Sequence, residues 1–185
     1  MKFASLCQAS YRNTTVFPYC VTAKFNYSNA NAIAYESSQD VVVCFRGSDD
    51  WKDHIYSSKC WPVKFKHLGK VHAGYYDQLS CLLDTSFQSY LDSIKKPFYI
   101  IGHSLGGALA LLLSLTQYQR SNFLACVTFA APKCVDKKII LNTLGLIHWR
   151  YTTSNDVVTK LFLGYKHTVV SRPLSRRGHS IKNFI

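Results

Sequence analysis

The run Lys96 to Tyr118, KPFYIIGHSLGGALALLLSLTQY, constrains this chain more than any other stretch. Phe98 to Ile101 are apolar and β-prone, the pattern of a short strand buried on both faces. Ala108 to Leu115 are dense in alanine and leucine, the strongest helix formers. Between them lies Gly102-His103-Ser104-Leu105-Gly106, a G-x-S-x-G pattern. In that setting the pattern predicts a sharp strand-to-helix turn that lifts a serine hydroxyl above the end of a sheet. The glycines are needed because a side chain there would collide with the neighbouring strand or helix. The helix behind Ser104 aims unpaired N–H groups and a positive dipole end at the hydroxyl.

Around this stretch, strands alternate with helices. Ala32–Glu36 and Val41–Phe45 read as a hairpin, and the second is continuously apolar, as a central strand should be. It runs into the polar loop Arg46-Gly47-Ser48-Asp49-Asp50. Trp51–Ser58 has helix-like spacing, and Trp61–Phe65 reads as a further strand. A helix is expected over about Tyr75–Ile94, where Leu79, Leu82, Leu83, Phe87, Tyr90, Leu91 and Ile94 form one apolar stripe. Phe123–Ala130 is the next buried strand, Asp136–Leu144 a helix closed by Gly145, and Leu146–Thr152 a strand. Leu161–Val170 is expected to be a hairpin. Residues 1–30 are weakly periodic and predict an irregular or partly helical lead-in. The outcome is an α/β fold with a mostly parallel central sheet flanked by helices. With 185 residues and no repeat, linker or composition shift, the chain is expected to form a single domain over 1–185.

A serine nucleophile needs a base and an acid that orients the base. In strand–turn–helix sites of this kind the chain order is serine, acid, histidine. After Ser104 only Asp136 and Asp156 are acidic. Asp156 follows directly on a predicted strand, where catalytic loops belong, whereas Asp136 is placed to cap a helix. Asp156 is therefore preferred. The histidines beyond it are His167, inside an aromatic β-like stretch, and His179, after the loop-like Ser175-Arg176-Arg177-Gly178. His179 is the preferred base. Donors for an oxyanion are expected from the N–H of Leu105 and from Ser48 in the RGSDD loop, which otherwise reads as an ordinary polar turn.

Together these residues resemble the class 3 lipases, the fungal triacylglycerol lipase type. The resemblance rests on Phe45-Arg46-Gly47-Ser48 with Trp51, on Val71-His72-Ala73-Gly74-Tyr75, on Gly102 to Ala110, on Asn155-Asp156 with Val158, and on His179. It implies an α/β-hydrolase fold and carboxylic ester hydrolysis. The implied triad is Ser104, Asp156 and His179, with Ser48 and Leu105 in the oxyanion hole and a lid near residues 49–58. The chain departs from the family pattern in a trimmed N-terminal region and in six residues after His179. Thr159 and Lys160 also stand where a proline is usual.

Composition narrows the partners. A net charge of +12 suggests attraction to an anionic surface. From residue 150 onward there are seven Lys/Arg (Arg150, Lys160, Lys166, Arg172, Arg176, Arg177, Lys182) against Asp156 alone. The expected substrate is a lipid ester. An acylglycerol lipase leads, with a phospholipase A or lysophospholipase at anionic membranes as the alternative; a non-catalytic lipid-binding domain is the reading from another class. Peripheral contact with an anionic membrane or lipid-droplet surface is expected. Nucleic acid is not, because the basic residues are scattered without a recognised motif. The seven cysteines show no C-x-x-C spacing, so no metal site and no cofactor are expected. With neither a clear signal peptide nor an apolar run near ~20 residues, a cytoplasmic or peripheral-membrane location is expected. Oligomeric state is left open.

Overall fold

The computed structural model describes residues 2–27, 30–48 and 59–185, the side chain of Thr85 excepted. The helix expected over Trp51–Ser58 and the lid expected near 49–58 lie outside the described residues. Seven strands form one sheet: β1 (Cys20–Tyr27), β2 (Ala30–Glu36), β3 (Val41–Phe45), β6 (Phe98–His103), β7 (Phe123–Phe129), β8 (His148–Ser154) and β9 (Arg172–Arg177), in that spatial order. The pairings from β3 to β9 are parallel; β1–β2 and β2–β3 are antiparallel. A separate hairpin joins β4 (Pro62–Phe65) to β5 (Gly69–His72).

Alternation along the central strands sorts side chains onto two cores. Val41, Val43 and Phe45 of β3 face one side, with Phe98 and Ile100 of β6. Val42 and Cys44 face the other, with Ile101 of β6 and Val127 and Phe129 of β7. The first core is covered by α2 (Ala73–Leu82), α3 (Gln88–Ser93), α4 (Leu105–Gln117) and α5 (Lys137–Asn142). A π-helical turn over Leu83–Phe87 joins α2 to α3, so the expected stripe is one helical run in which Leu79, Leu82, Phe87 and Leu91 are fully buried. In α4, the helix behind Ser104, every residue but Thr116 is buried. A helix buried on all sides in this way is a core helix, each buried leucine contributing roughly 1.5–3 kcal/mol. Among the described residues no helix is long and apolar enough to cross a membrane.

The second core is covered by the two ends of the chain. Helix α1 (Lys2–Arg12) buries Ala4, Leu6 and Cys7, and a 3₁₀ turn over Ile181–Phe184 buries Ile181 and Phe184. The Lys2 ammonium lies 3.0 Å from Asp40 and the Tyr19 hydroxyl donates to the same carboxylate at 2.6 Å, tying α1 to the β2–β3 turn.

Three expectations need correction. The lead-in over residues 1–30 is partly helical as expected, through Lys2–Arg12, but Cys20–Tyr27 is an edge strand that the expectation lacked, although Val21, Ala23 and Phe25 alternate with polar residues along it. Leu161–Val170 is not a hairpin. Phe162 and Tyr165 both pack on the His72 ring, at 4.4 Å and 5.4 Å between centroids, and Lys166 bridges to Val135. Finally, Ser175–Arg177 is not loop but the end of β9, whose mostly exposed residues carry no apolar period.

The elbow is set by close contact. A Cβ on Gly102 would overlap the Gly106 carbonyl, and a Cβ on Gly106 would overlap the Phe45 carbonyl and the main chain of Arg46. Helix α4 therefore sits directly against the ends of β3 and β6, which only glycine allows. Gly106→Ala is expected to lower unfolding free energy by about 2 kcal/mol or more, because backbone rather than a flexible side chain must yield. Urea denaturation checks this, and an unchanged midpoint would contradict the packing described here.

Candidate active site

Ser104 stands between β6 and α4 at φ 56° and ψ −127°, a conformation that non-glycine residues adopt only when their surroundings enforce it. Its N–H donates to the Phe129 carbonyl at 2.9 Å and its carbonyl accepts from Gly107 at 2.9 Å, so strand and helix both grip it. The residue is buried.

Asp156 lies in the turn after β8, behind Asn155 at φ 60°. Its side chain is fully buried and accepts from the Val158 N–H at 3.0 Å. His179 follows β9, the strand paired with β8, so the two residues arrive side by side at one end of the sheet. Each carboxylate oxygen of Asp156 lies 3.0 Å from His179 Nδ1, and His179 Nε2 lies 2.7 Å from Ser104 Oγ. A carboxylate accepts, so Nδ1 carries the proton and donates to Asp156. Nε2 is left with a lone pair, to which the Ser104 hydroxyl donates. The three residues preferred on sequence grounds are thus brought together in hydrogen-bonding order, while the rejected candidates lie elsewhere. Asp136 caps α5, accepting from the Ile139 N–H at 2.9 Å. His167 Nε2 lies 2.8 Å from the Thr159 carbonyl and 2.9 Å from the Arg150 guanidinium.

The main chain at His179 is held from several directions. Thr153 Oγ1 donates to the Gly178 carbonyl, and the Gly178 N–H donates to Ser154 at 3.1 Å. His103, inside the G-x-S-x-G pattern, places Nε2 2.8 Å from the His179 carbonyl and Nδ1 2.8 Å from the Tyr11 hydroxyl. A carbonyl only accepts, so His103 carries its proton on Nε2 and donates there, while its Nδ1 accepts a hydrogen bond from the Tyr11 hydroxyl. Burial, reinforced by the neighbouring His179, pushes the His103 imidazole down to about 3, which keeps it in this neutral form.

Leu105 is the first residue of α4, so its N–H has no preceding turn to bond to and faces the Ser104 side of the helix. Ser48 lines a cavity of about 360 Å³ that also touches His103 and His179. Gly47 makes its approach close: a Cβ there would meet the Tyr11 hydroxyl and lie 2.7 Å from the His103 carbonyl. Sequence reasoning missed the α1 side of this cavity, formed by Gln8, Tyr11 and Arg12, and the far side formed by Lys182. No motif marks α1. The signal in reach was His103, which the pattern contained and to which no task had been given.

A buried serine hydrogen-bonded to an imidazole, itself seated on a carboxylate behind a strand–turn–helix elbow, is the arrangement that the α/β-hydrolase class of fold carries. The family model for "Lipase (class 3)" matches residues 42–166, more than half of the chain, and the protein belongs to that family. A lipase of Rhizomucor miehei is 34% identical over 148 residues, covering 72% of this chain and 40% of that relative. Toxin TseL of Vibrio cholerae is 32% identical over 104 residues, covering 55% of this chain and 16% of the toxin. Among solved structures, the Rhizomucor miehei lipase–propeptide complex superposes with a TM-score of 0.75 at 22% identity, covering 89% of this chain and 64% of that one. Lipase II from Rhizopus niveus gives 0.78 at 20% identity, covering 89% and 75%. These likenesses show the α/β-hydrolase fold. The chain spans about 40% of the length of the curated Rhizomucor relative.

Buried neutral histidines also fix how stability depends on pH. Burial lowers His103 and His148 to about 3 and His72 to about 4, against an ordinary value near ~6.5. Above pH ~6.5 these rings are neutral in both folded and unfolded chain. As pH falls below that, the unfolded chain takes up protons that the folded chain refuses. Stability then drops by up to ~1.4 kcal/mol per pH unit for each histidine, until the folded-state values are reached. The urea midpoint is expected to be clearly lower at pH 5 than at pH 7.5. An equal midpoint at the two pH values would show that these rings are not held neutral.

Proposed function

We propose that this protein hydrolyses carboxylic esters of lipids, acylglycerols foremost, through an acyl-enzyme on Ser104. The observation that carries this reading is the unbroken line from the Ser104 hydroxyl to His179 Nε2 at 2.7 Å and from Nδ1 to both oxygens of Asp156 at 3.0 Å. His179 takes the hydroxyl proton as Oγ bonds to the ester carbon. Asp156 stabilises the imidazolium that results. The carbonyl oxygen becomes an oxyanion, to which the Leu105 N–H and the N–H and hydroxyl of Ser48 are the assigned donors. Collapse breaks the ester C–O bond, and the proton passes from Nε2 to the departing alcohol oxygen. Water then attacks the acyl-enzyme, with His179 again as base, releasing the fatty acid and restoring Ser104. The chemistry calls for no metal or cofactor.

Family membership and the relatives named as lipases support lipid esters as the substrate class. The reading includes peripheral contact with an anionic membrane or lipid-droplet surface, supported by Arg172, Arg176 and Arg177, which β9 leaves exposed, the last two close before His179 in the chain. The competing reading, a lipid-binding domain that kept the fold, leaves the hydrogen-bonded line of Ser104, His179 and Asp156 without a task.

Fatty-acid release from a dispersed acylglycerol tests the proposal. Ser104→Ala is expected to lower kcat by about 10⁴-fold or more, and Asp156→Asn by about 10⁴-fold through loss of the productive tautomer. Ser48→Ala is expected to cost about 10²- to 10³-fold, the range for a lost oxyanion donor. A folded wild-type protein that binds the dispersed lipid and releases no acid would leave the binding-domain reading standing instead.

A further inference from the structure

The cavity beside His179 carries a charge pattern that ester hydrolysis alone does not require. One wall is the end of α1, with Gln8, Tyr11 and Arg12; the other is the chain just past the base, with Ser180 to Lys182. Arg12 and Lys182 therefore bring two cations to one cavity, and among the described residues lining it there is no carboxylate. Both side chains are exposed, and neither forms an ion pair with a described residue. A third cation adjoins them, because the Arg176 guanidinium donates to the Lys182 carbonyl at 3.0 Å. A hydroxyl belongs to the same lining, from Ser180. Two unpaired cations and a hydroxyl donor converging on about 360 Å³ form a receptor for a compact oxyanion such as a phosphate. His179 and Ser48 belong to the same lining, so an anion held there lies beside the residues to which the ester chemistry is assigned.

We propose that this cavity binds the phosphate of a glycerophospholipid, so that Arg12 and Lys182 select phosphate-bearing lipid esters over neutral glycerides. The assignment rests on the hydrolase reading above and names its substrate class. It differs from general attraction to a charged surface, because it requires the phosphate to lie on the substrate, within reach of two named side chains on opposite walls.

The test uses the full chain and three kinds of neutral-detergent mixed micelle, holding a diacylglycerol, a phosphatidic acid of the same acyl chains, or the diacylglycerol with a non-hydrolysable anionic detergent. The quantity read is the ratio of kcat/KM for phosphatidic acid to that for diacylglycerol. Wild type is expected to favour phosphatidic acid. Arg12→Gln and Lys182→Gln should each lower the ratio ~5-fold, and together ~25-fold, the loss expected for cations facing an anionic group. Arg12→Lys should restore most of it. Glycerol 3-phosphate should compete with phosphatidic acid more strongly than inorganic phosphate does. An unchanged ratio in the double variant overturns the proposal. So does an equal gain from anionic detergent in the diacylglycerol micelles, which would make the effect one of surface charge. Inorganic phosphate competing as well as glycerol 3-phosphate would make this a free-phosphate site and overturn the headgroup assignment. Diacylglycerol hydrolysis without phosphate preference removes this proposal alone, whereas hydrolysis of neither lipid by wild type removes the hydrolase reading beneath it.

Discussion

The contact between the start of α4 and the ends of β3 and β6 is the constraint on which the rest depends. Gly106 lies against the Phe45 carbonyl with no room for a Cβ, and Gly102 lies against Gly106 in the same way. That closeness leaves Ser104 no relaxed backbone to adopt, and it is held at φ 56°. The strain is offset by a helix whose residues are nearly all buried and by the main-chain bonds of Ser104 to Phe129 and Gly107. A hydroxyl fixed in this way needs only a base and an acid delivered to one place.

Parallel pairing performs that delivery. Strands β6, β8 and β9 run the same way, so Ser104, Asp156 and His179, each lying just beyond the end of its strand, meet at one edge of the sheet. The final strand is exposed and has one neighbour, so β9 alone fixes His179 weakly. Additional ties compensate: Thr153 to Gly178, Asn183 to the Arg177 carbonyl at 2.8 Å, and neutral His103 to the His179 carbonyl. Helix α1 enters this network through Tyr11. Helix α1 therefore both covers a core face and reaches a residue beside His179.

Much of this was legible in the sequence, for a physical reason. Buried elements announce themselves: the predominantly apolar runs of β3, β6 and β7 and the alanine–leucine density of α4 follow from burial on all sides. The site was legible because chain order leaves few candidates, two acids after Ser104 and two histidines after Asp156. The edges were not. β9 exposes most of its residues, so its sequence carries no period and Ser175–Arg177 reads as loop, while the alternation of β1 is short and only half-buried. The aromatics of Leu161–Val170 suggested a hairpin, yet Phe162 and Tyr165 cluster on His72, a long-range contact that no local pattern encodes. Arg12 and Lys182 lie 170 residues apart and meet only in the folded chain, so their shared cavity has no sequence signature.

The central claim is that His179 and Asp156 make Ser104, and no other side chain, nucleophilic. The most direct measurement is the intact mass and peptide map of the folded protein after reaction with an alkylphosphonate ester, which phosphonylates an activated serine irreversibly. The account predicts one adduct per chain, located on Ser104, and its disappearance in His179→Ala. An adduct that persists without His179, one on another residue, or no adduct on the folded wild-type chain would contradict it.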